Sequence, residues 1–219
     1  MSILSASPDK PCSAILDMHE VLAQPGHAAA AVGFSLALAA QALASASHRA
    51  ALLWVRESAA TAETGDVYGA GLASFGLSPD RLIVTEMRTH VDSLRAALEG
   101  ARCTALAAVI LETTDPVDLM ASRRLKLATE KSGVAVVLLR PNSRFVSNAA
   151  PIRWCVKAAP RTTNTGDNTH MAFEVELLKH PRGRAGRCCV VEWDHEQHDF
   201  AETLSLPVAA VSRVGSLAA

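Results

Sequence analysis

The sequence predicts a single α/β domain, a mainly parallel sheet flanked by helices and extended by antiparallel strands at its C-terminal end. Three observations lead there. Up to Pro141, short apolar runs alternate with segments of helical periodicity. Past Pro141, strand-like runs are separated by polar or glycine-containing loops, the natural connection for antiparallel pairs. The composition, 49% hydrophobic and 20% charged over 219 residues with 12 Gly and 10 Pro, suits a folded chain with one sizeable core.

Residues 1–14, with Pro8, Pro11 and several serines, are expected to be a flexible start, residues 15–202 the core, and residues 203–219 a small-residue tail. The first long segment, Ala28 to Ala46, is uncharged and close to the roughly 20 residues that span a bilayer. It is mostly alanine, is interrupted by Gly33, Ser35, Gln41 and Ser45, and lacks anchoring Lys, Arg, Trp or Tyr at its ends. It reads as a helix buried on a sheet, with no membrane partner.

ALLWVR (Ala51–Arg56) and RLIVTE (Arg81–Glu86) have the length and enrichment of strands, with a glycine-punctuated segment between them. Val91, Leu94, Ala97, Leu98 and Ala101 recur at helical spacing, and ALAAVILE (Ala105–Glu112) follows as a strand. Met120 to Gly133 reads as an amphipathic helix stopped by glycine, and VAVVLLR (Val134–Arg140) as a strand apolar on both faces, as parallel sheets require. IRWCVKA (Ile152–Ala158), AFEVELLK (Ala172–Lys179) and RCCVVEW (Arg187–Trp193) are the later strands.

Lys plus Arg number 21 and Asp plus Glu 22, for a net charge of −1, so the overall balance favours no polyanionic partner. The distribution does. Met120 to Val190 holds 13 basic residues against Glu130, Asp167, Glu174 and Glu176, a surplus that suits a polyanion or an acidic protein. Five cysteines are an odd number without framework spacing, and no leader precedes the first predicted strand, so a reduced, cytoplasmic protein is expected.

A nucleotide-binding sheet would carry glycines and a lysine before its first long helix, to cradle phosphates. Here the segment Ala23–Phe34 offers only Pro25, Gly26 and His27, without a Gly-Lys-Ser/Thr triplet, so no cofactor is expected and ATP is the alternative to test. Glu57 and Glu112 stand at predicted strand ends, where an ATPase places its water-activating and magnesium-binding carboxylates. Without the lysine they are vestigial candidates, and no catalytic residue is assigned. Cys188, Cys189, His195 and His198 lack chelating spacing, and no metal is expected. Lys179, Arg182, Arg184 and Arg187 flank a Pro/Gly turn that can present cations on a hairpin tip. Aromatics at 4% provide little for base stacking.

Several strings, in order, resemble the RecA family, and more closely the ImuA family of RecA-like accessory proteins from damage-inducible mutagenesis cassettes. They are HEVLAQPGHAAAAVGF (His19–Phe34), DVYGAGLASFGLSPDRLIV (Asp66–Val84), THVDSLRAALEGARCTALAAVILE (Thr89–Glu112), ASRRLKLATEKSGVAVVLLRPN (Ala121–Asn142), SNAAPIRWCV (Ser147–Val156) and FEVELLKHPRGRAGR with CCVVEWD (Phe173–Asp194). The resemblance covers about residues 15–200 and implies a RecA-like core. Glu57 matches the RecA catalytic glutamate, Glu112 replaces the Walker-B aspartate, and Leu139-Arg140 stand where RecA has its γ-phosphate-sensing glutamine.

What the resemblance implies is a non-catalytic scaffold of SOS-induced translesion DNA synthesis. Its partners would be an ImuB-type inactive Y-family polymerase relative and an error-prone C-family DNA polymerase, with a RecA filament and DNA as further candidates. Arg140, Arg144, Arg153 and Lys157, with the hairpin cations, are the expected partner or DNA contacts, and the protein would join the nucleoid on DNA damage. The alternatives are a weak ATPase switch of the RecA superfamily and a SulA-like cell-division inhibitor.

Overall fold

The computed structural model describes residues 17–46, 51–141, 146–160, 171–182 and 185–206. Its elements in chain order are β1 (Met18–Ala23), α1 (Ala28–Ser45), β2 (Ala51–Glu57), α2 (Ser58–Thr64), α3 (Gly69–Ala73), β3 (Leu82–Met87), α4 (His90–Arg102), β4 (Leu106–Glu112) and α5 (Leu119–Ser132). Then come β5 (Ala135–Arg140), β6 (Ile152–Ala158), β7 (Met171–Lys179), β8 (Arg187–Asp194) and β9 (Asp199–Leu206). All nine strands join one sheet in the order β3-β2-β4-β5-β1-β6-β7-β8-β9.

The pairs from β3 to β6 are parallel, and β6–β7, β7–β8 and β8–β9 are antiparallel, which is the predicted fold class. Two strands escape the sequence reading. β1 lies at the centre of the sheet but carries His19 and Glu20, which break its apolar run. β9 extends to Leu206, so its last residues fall within the expected tail.

Helix α1 covers one face and α4 with α5 the other, giving two apolar layers. On the α1 face Phe34 is fully buried and meets Trp154 and Phe173 edge to face, at 5.6 and 5.7 Å between ring centroids. Among the described residues α1 is the one helix long and apolar enough to cross a membrane, and 72% of it is buried inside the fold. Its alanines let the helix lie close on the sheet, and burial on the strands accounts for its lack of charge.

Helices α4 and α5 are built by local signals. Thr89 caps α4 by accepting the Asp92 N–H at 3.1 Å, and Asp118 caps α5 by accepting the Ala121 N–H at 2.7 Å. Helix α5 ends at Gly133, whose φ of +68° is the left-handed conformation that glycine adopts without strain.

Candidate functional site

The place where a RecA-like core would grip phosphate lies between β1 and α1. Four residues make that connection, Gln24 to His27. The His27 N–H donates to the Gln24 carbonyl at 2.9 Å, with Pro25 second and Gly26, at φ +81°, third in a tight turn. The His27 Nδ1 accepts the Ala158 N–H at 3.3 Å, tying the start of α1 to the end of β6. A phosphate-wrapping loop needs several inward N–H groups and a lysine, and this turn supplies neither.

The two strand-end carboxylates do not share a site. Glu112 and Arg56 are register partners on β4 and β2, and the Arg56 Nε donates to the Glu112 carboxylate at 2.7 Å, both side chains buried. The Arg56 guanidinium also lies over the Trp54 ring, 5.1 Å from its centroid. This pair lies on the α1 side. It lines a largely apolar cavity of about 460 Å³ with Ala28, Val32, Tyr68 and Phe75. Glu57 follows Arg56 in β2, so the pleat sends it to the opposite face, where it meets α4. The two vestigial candidates therefore lie on opposite faces of the sheet, as the two-residue period of the strand requires.

At Glu57 the structure assembles residues that the sequence reading did not single out. The Glu57 carboxylate and the His90 Nδ1 are 2.6 Å apart. The Thr113 hydroxyl lies 3.2 Å from the same Nδ1, accepts the Asp115 N–H at 3.1 Å and donates to the Asp115 carbonyl at 3.2 Å. One donor atom from each of Glu57, His90 and Asp115 lies within 4.8 Å of the others. These groups sit at the C-terminal ends of parallel strands, the edge where open α/β sheets place their ligands. His90 as the first residue of α4, right after a Thr cap, was the available signal in the sequence.

The basic residues divide sharply. Arg140 and Arg153, expected as partner or DNA contacts, are buried around Glu20 in the middle of the sheet. One Glu20 oxygen accepts Arg140 at 3.1 Å and the Asn148 amide at 2.8 Å, the other accepts the Arg153 Nε, and Arg153 also donates to Asn148 at 2.9 Å. Two guanidiniums held by one interior carboxylate cannot be presented to DNA, so that expectation is corrected. Lys157 is half-buried and pairs with Glu174 across the β6–β7 ladder at 2.8 Å.

Lys179 donates to the Ala150 carbonyl at 2.8 Å. Desolvation, and after it the Arg153 charge, pull its ammonium below the usual lysine range. Arg182 is exposed on the β7–β8 turn and Arg187 half-buried at the start of β8. Arg184 and Arg144 lie outside the described residues. Cys188 and Cys189 are neighbours in β8 and point to opposite faces, as their strand predicts.

The chain is similar to Protein ImuA. It is 33% identical over 120 residues to Protein ImuA of two Caulobacter vibrioides strains, NA1000/CB15N and ATCC 19089/CIP 103742/CB 15. The aligned part is 50% of this chain and 46% of each ImuA protein, so the chain matches about half the length of these curated relatives. That likeness supports the ImuA family resemblance. No protein-family model matches the chain. A crystal structure of SulA from Pseudomonas aeruginosa aligns with 56% of this chain and 96% of that one, at a TM-score of 0.43 and 14% identity. A likeness at that level carries no argument for or against the SulA-like alternative.

Proposed function

We propose that this chain is a non-catalytic, RecA-like accessory of damage-induced mutagenesis, working in the cytoplasm as a scaffold. In this reading it binds an ImuB-type inactive Y-family polymerase relative, in a complex with an error-prone C-family DNA polymerase that carries out translesion synthesis. The RecA filament and DNA are further partners. The observation that carries the reading is the 33% match to Protein ImuA.

The non-catalytic part is supported by the Gln24–His27 turn, which has no lysine and no room for a phosphate loop. It is also supported by the Arg56 guanidinium, which neutralises Glu112 where a metal-binding carboxylate would have to be free. A scaffold needs the sheet and its surfaces but not the phosphate grip.

With Arg140 and Arg153 interior, the turn between β7 and β8, where Arg182 is exposed, is the candidate basic surface for a polyanion or an acidic partner. Replacing Arg182, Arg184 and Arg187 together by alanine weakens capture of the polymerase relative or of duplex DNA. The unfolding free energy changes by about 0.5 kcal/mol or less per substitution. Co-purification and a salt-dependent DNA titration read the binding, and chemical denaturation reads the fold. Full retention of both affinities would remove the hairpin from the interface.

A further inference from the structure

We propose that Glu57, His90 and Asp115 form a binding site for one divalent transition-metal ion, independent of the accessory reading above. Three segments supply one ligand each: the end of β2, the first residue of α4 and the loop after β4. Metal bonds of about 2.0 to 2.2 Å at tetrahedral or octahedral angles hold donor atoms about 3.0 to 3.4 Å apart. The mutual spacing within 4.8 Å needs only small side-chain rotations to reach that arrangement.

The charge balance points to a cation. Of the buried carboxylates in the parallel half of the sheet, Glu20 is held by two arginines and Glu112 by Arg56. Glu57, 5% exposed, has an imidazole as its ion-pair partner and, among the described residues, no arginine or lysine. An interior carboxylate without a fixed positive charge is costly, and a bound cation removes that cost. Asp115 is exposed and adds the second negative charge, and Thr113 fixes the backbone that carries it.

The donor set selects the metal. Two carboxylates and one imidazole suit zinc, manganese or iron, whereas Mg²⁺ and Ca²⁺ prefer all-oxygen shells. A neutral imidazole that ligates through the nitrogen facing Glu57 keeps its proton on the other nitrogen, and three protein ligands leave a position for water.

Titration of the reduced full chain with Zn²⁺ by calorimetry, and with Co²⁺ by visible absorption, tests this. One ion binds per chain, the cobalt spectrum shows nitrogen and oxygen ligation without a thiolate charge-transfer band, and excess Mg²⁺ does not displace it. Asp115→Ala, at an exposed position that leaves the fold intact, weakens binding by more than about tenfold, and His90→Ala does the same. Absence of binding at submillimolar metal would overturn the proposal. So would a thiolate-type spectrum, or a Co²⁺ affinity that Asp115→Ala leaves unchanged.

Discussion

Glu20 and Glu57 are both interior carboxylates on the α4/α5 side of the sheet, yet their surroundings differ in kind. Glu20 sits on the central strand and is closed in by Arg140, Arg153 and Asn148, all buried. Glu57 sits three strands nearer the edge and meets His90, which is 22% exposed, with Asp115 open to solvent beyond. A carboxylate whose partners are permanent cations and whose lone pairs are filled is a structural part. One whose partner is an imidazole beside an open edge can exchange that partner for a ligand.

The comparison breaks or sharpens most visibly on isosteric substitution. Glu20→Gln removes the carboxylate charge that holds two interior guanidiniums and costs about 3–5 kcal/mol in denaturant unfolding. Glu57→Gln keeps a polar partner for His90 and costs less than about 1.5 kcal/mol. Equal costs at the two sites would show that Glu57 is as structural as Glu20.

A smaller effect concerns the face of the antiparallel half opposite α1. There Cys155 and Cys188 flank Glu176 across the β6–β7–β8 ladders. Burial first, and Glu176's charge next, push both thiols above the ordinary cysteine range. The reactive thiolate therefore forms at higher pH than in a free thiol. Near neutral pH, Cys155 and Cys188 alkylate more slowly than exposed Cys103, by mass spectrometry after timed quenching, and Glu176→Gln narrows the gap. Labelling of all three at one rate would contradict this account.

Much of the fold was legible because the strands that build the parallel half are apolar on both faces, as Val136 to Leu139 are. The switch to antiparallel pairing was legible from loops too short in helical signal to cross the sheet. β1 was not, because the residues that interrupt its apolar run, His19 and Glu20, are satisfied by partners far away in sequence. Trp154 donates to the His19 ring at 3.1 Å, and Arg140 and Arg153 reach Glu20.

The candidate site was half legible for a similar reason. Glu57 and Glu112 stand out as carboxylates at strand ends, and strand ends are where ligands gather. Which face each one takes depends on where β2 and β4 stop, and one residue decides it. Arg140 and Arg153 show the converse. Counting charges along the chain cannot tell a basic surface from arginines drawn inward by one glutamate on a neighbouring strand.

The central claim is that this α/β core works without nucleotide, and calorimetric titration of the full chain with Mg-ATP at millimolar concentration tests it most directly. The account predicts no saturable heat, because the Gln24–His27 turn offers neither a lysine nor a cradle of N–H groups. A saturable heat that disappears on altering Gly26 and His27, or on Glu57→Gln, would contradict it and make the chain a nucleotide-driven switch.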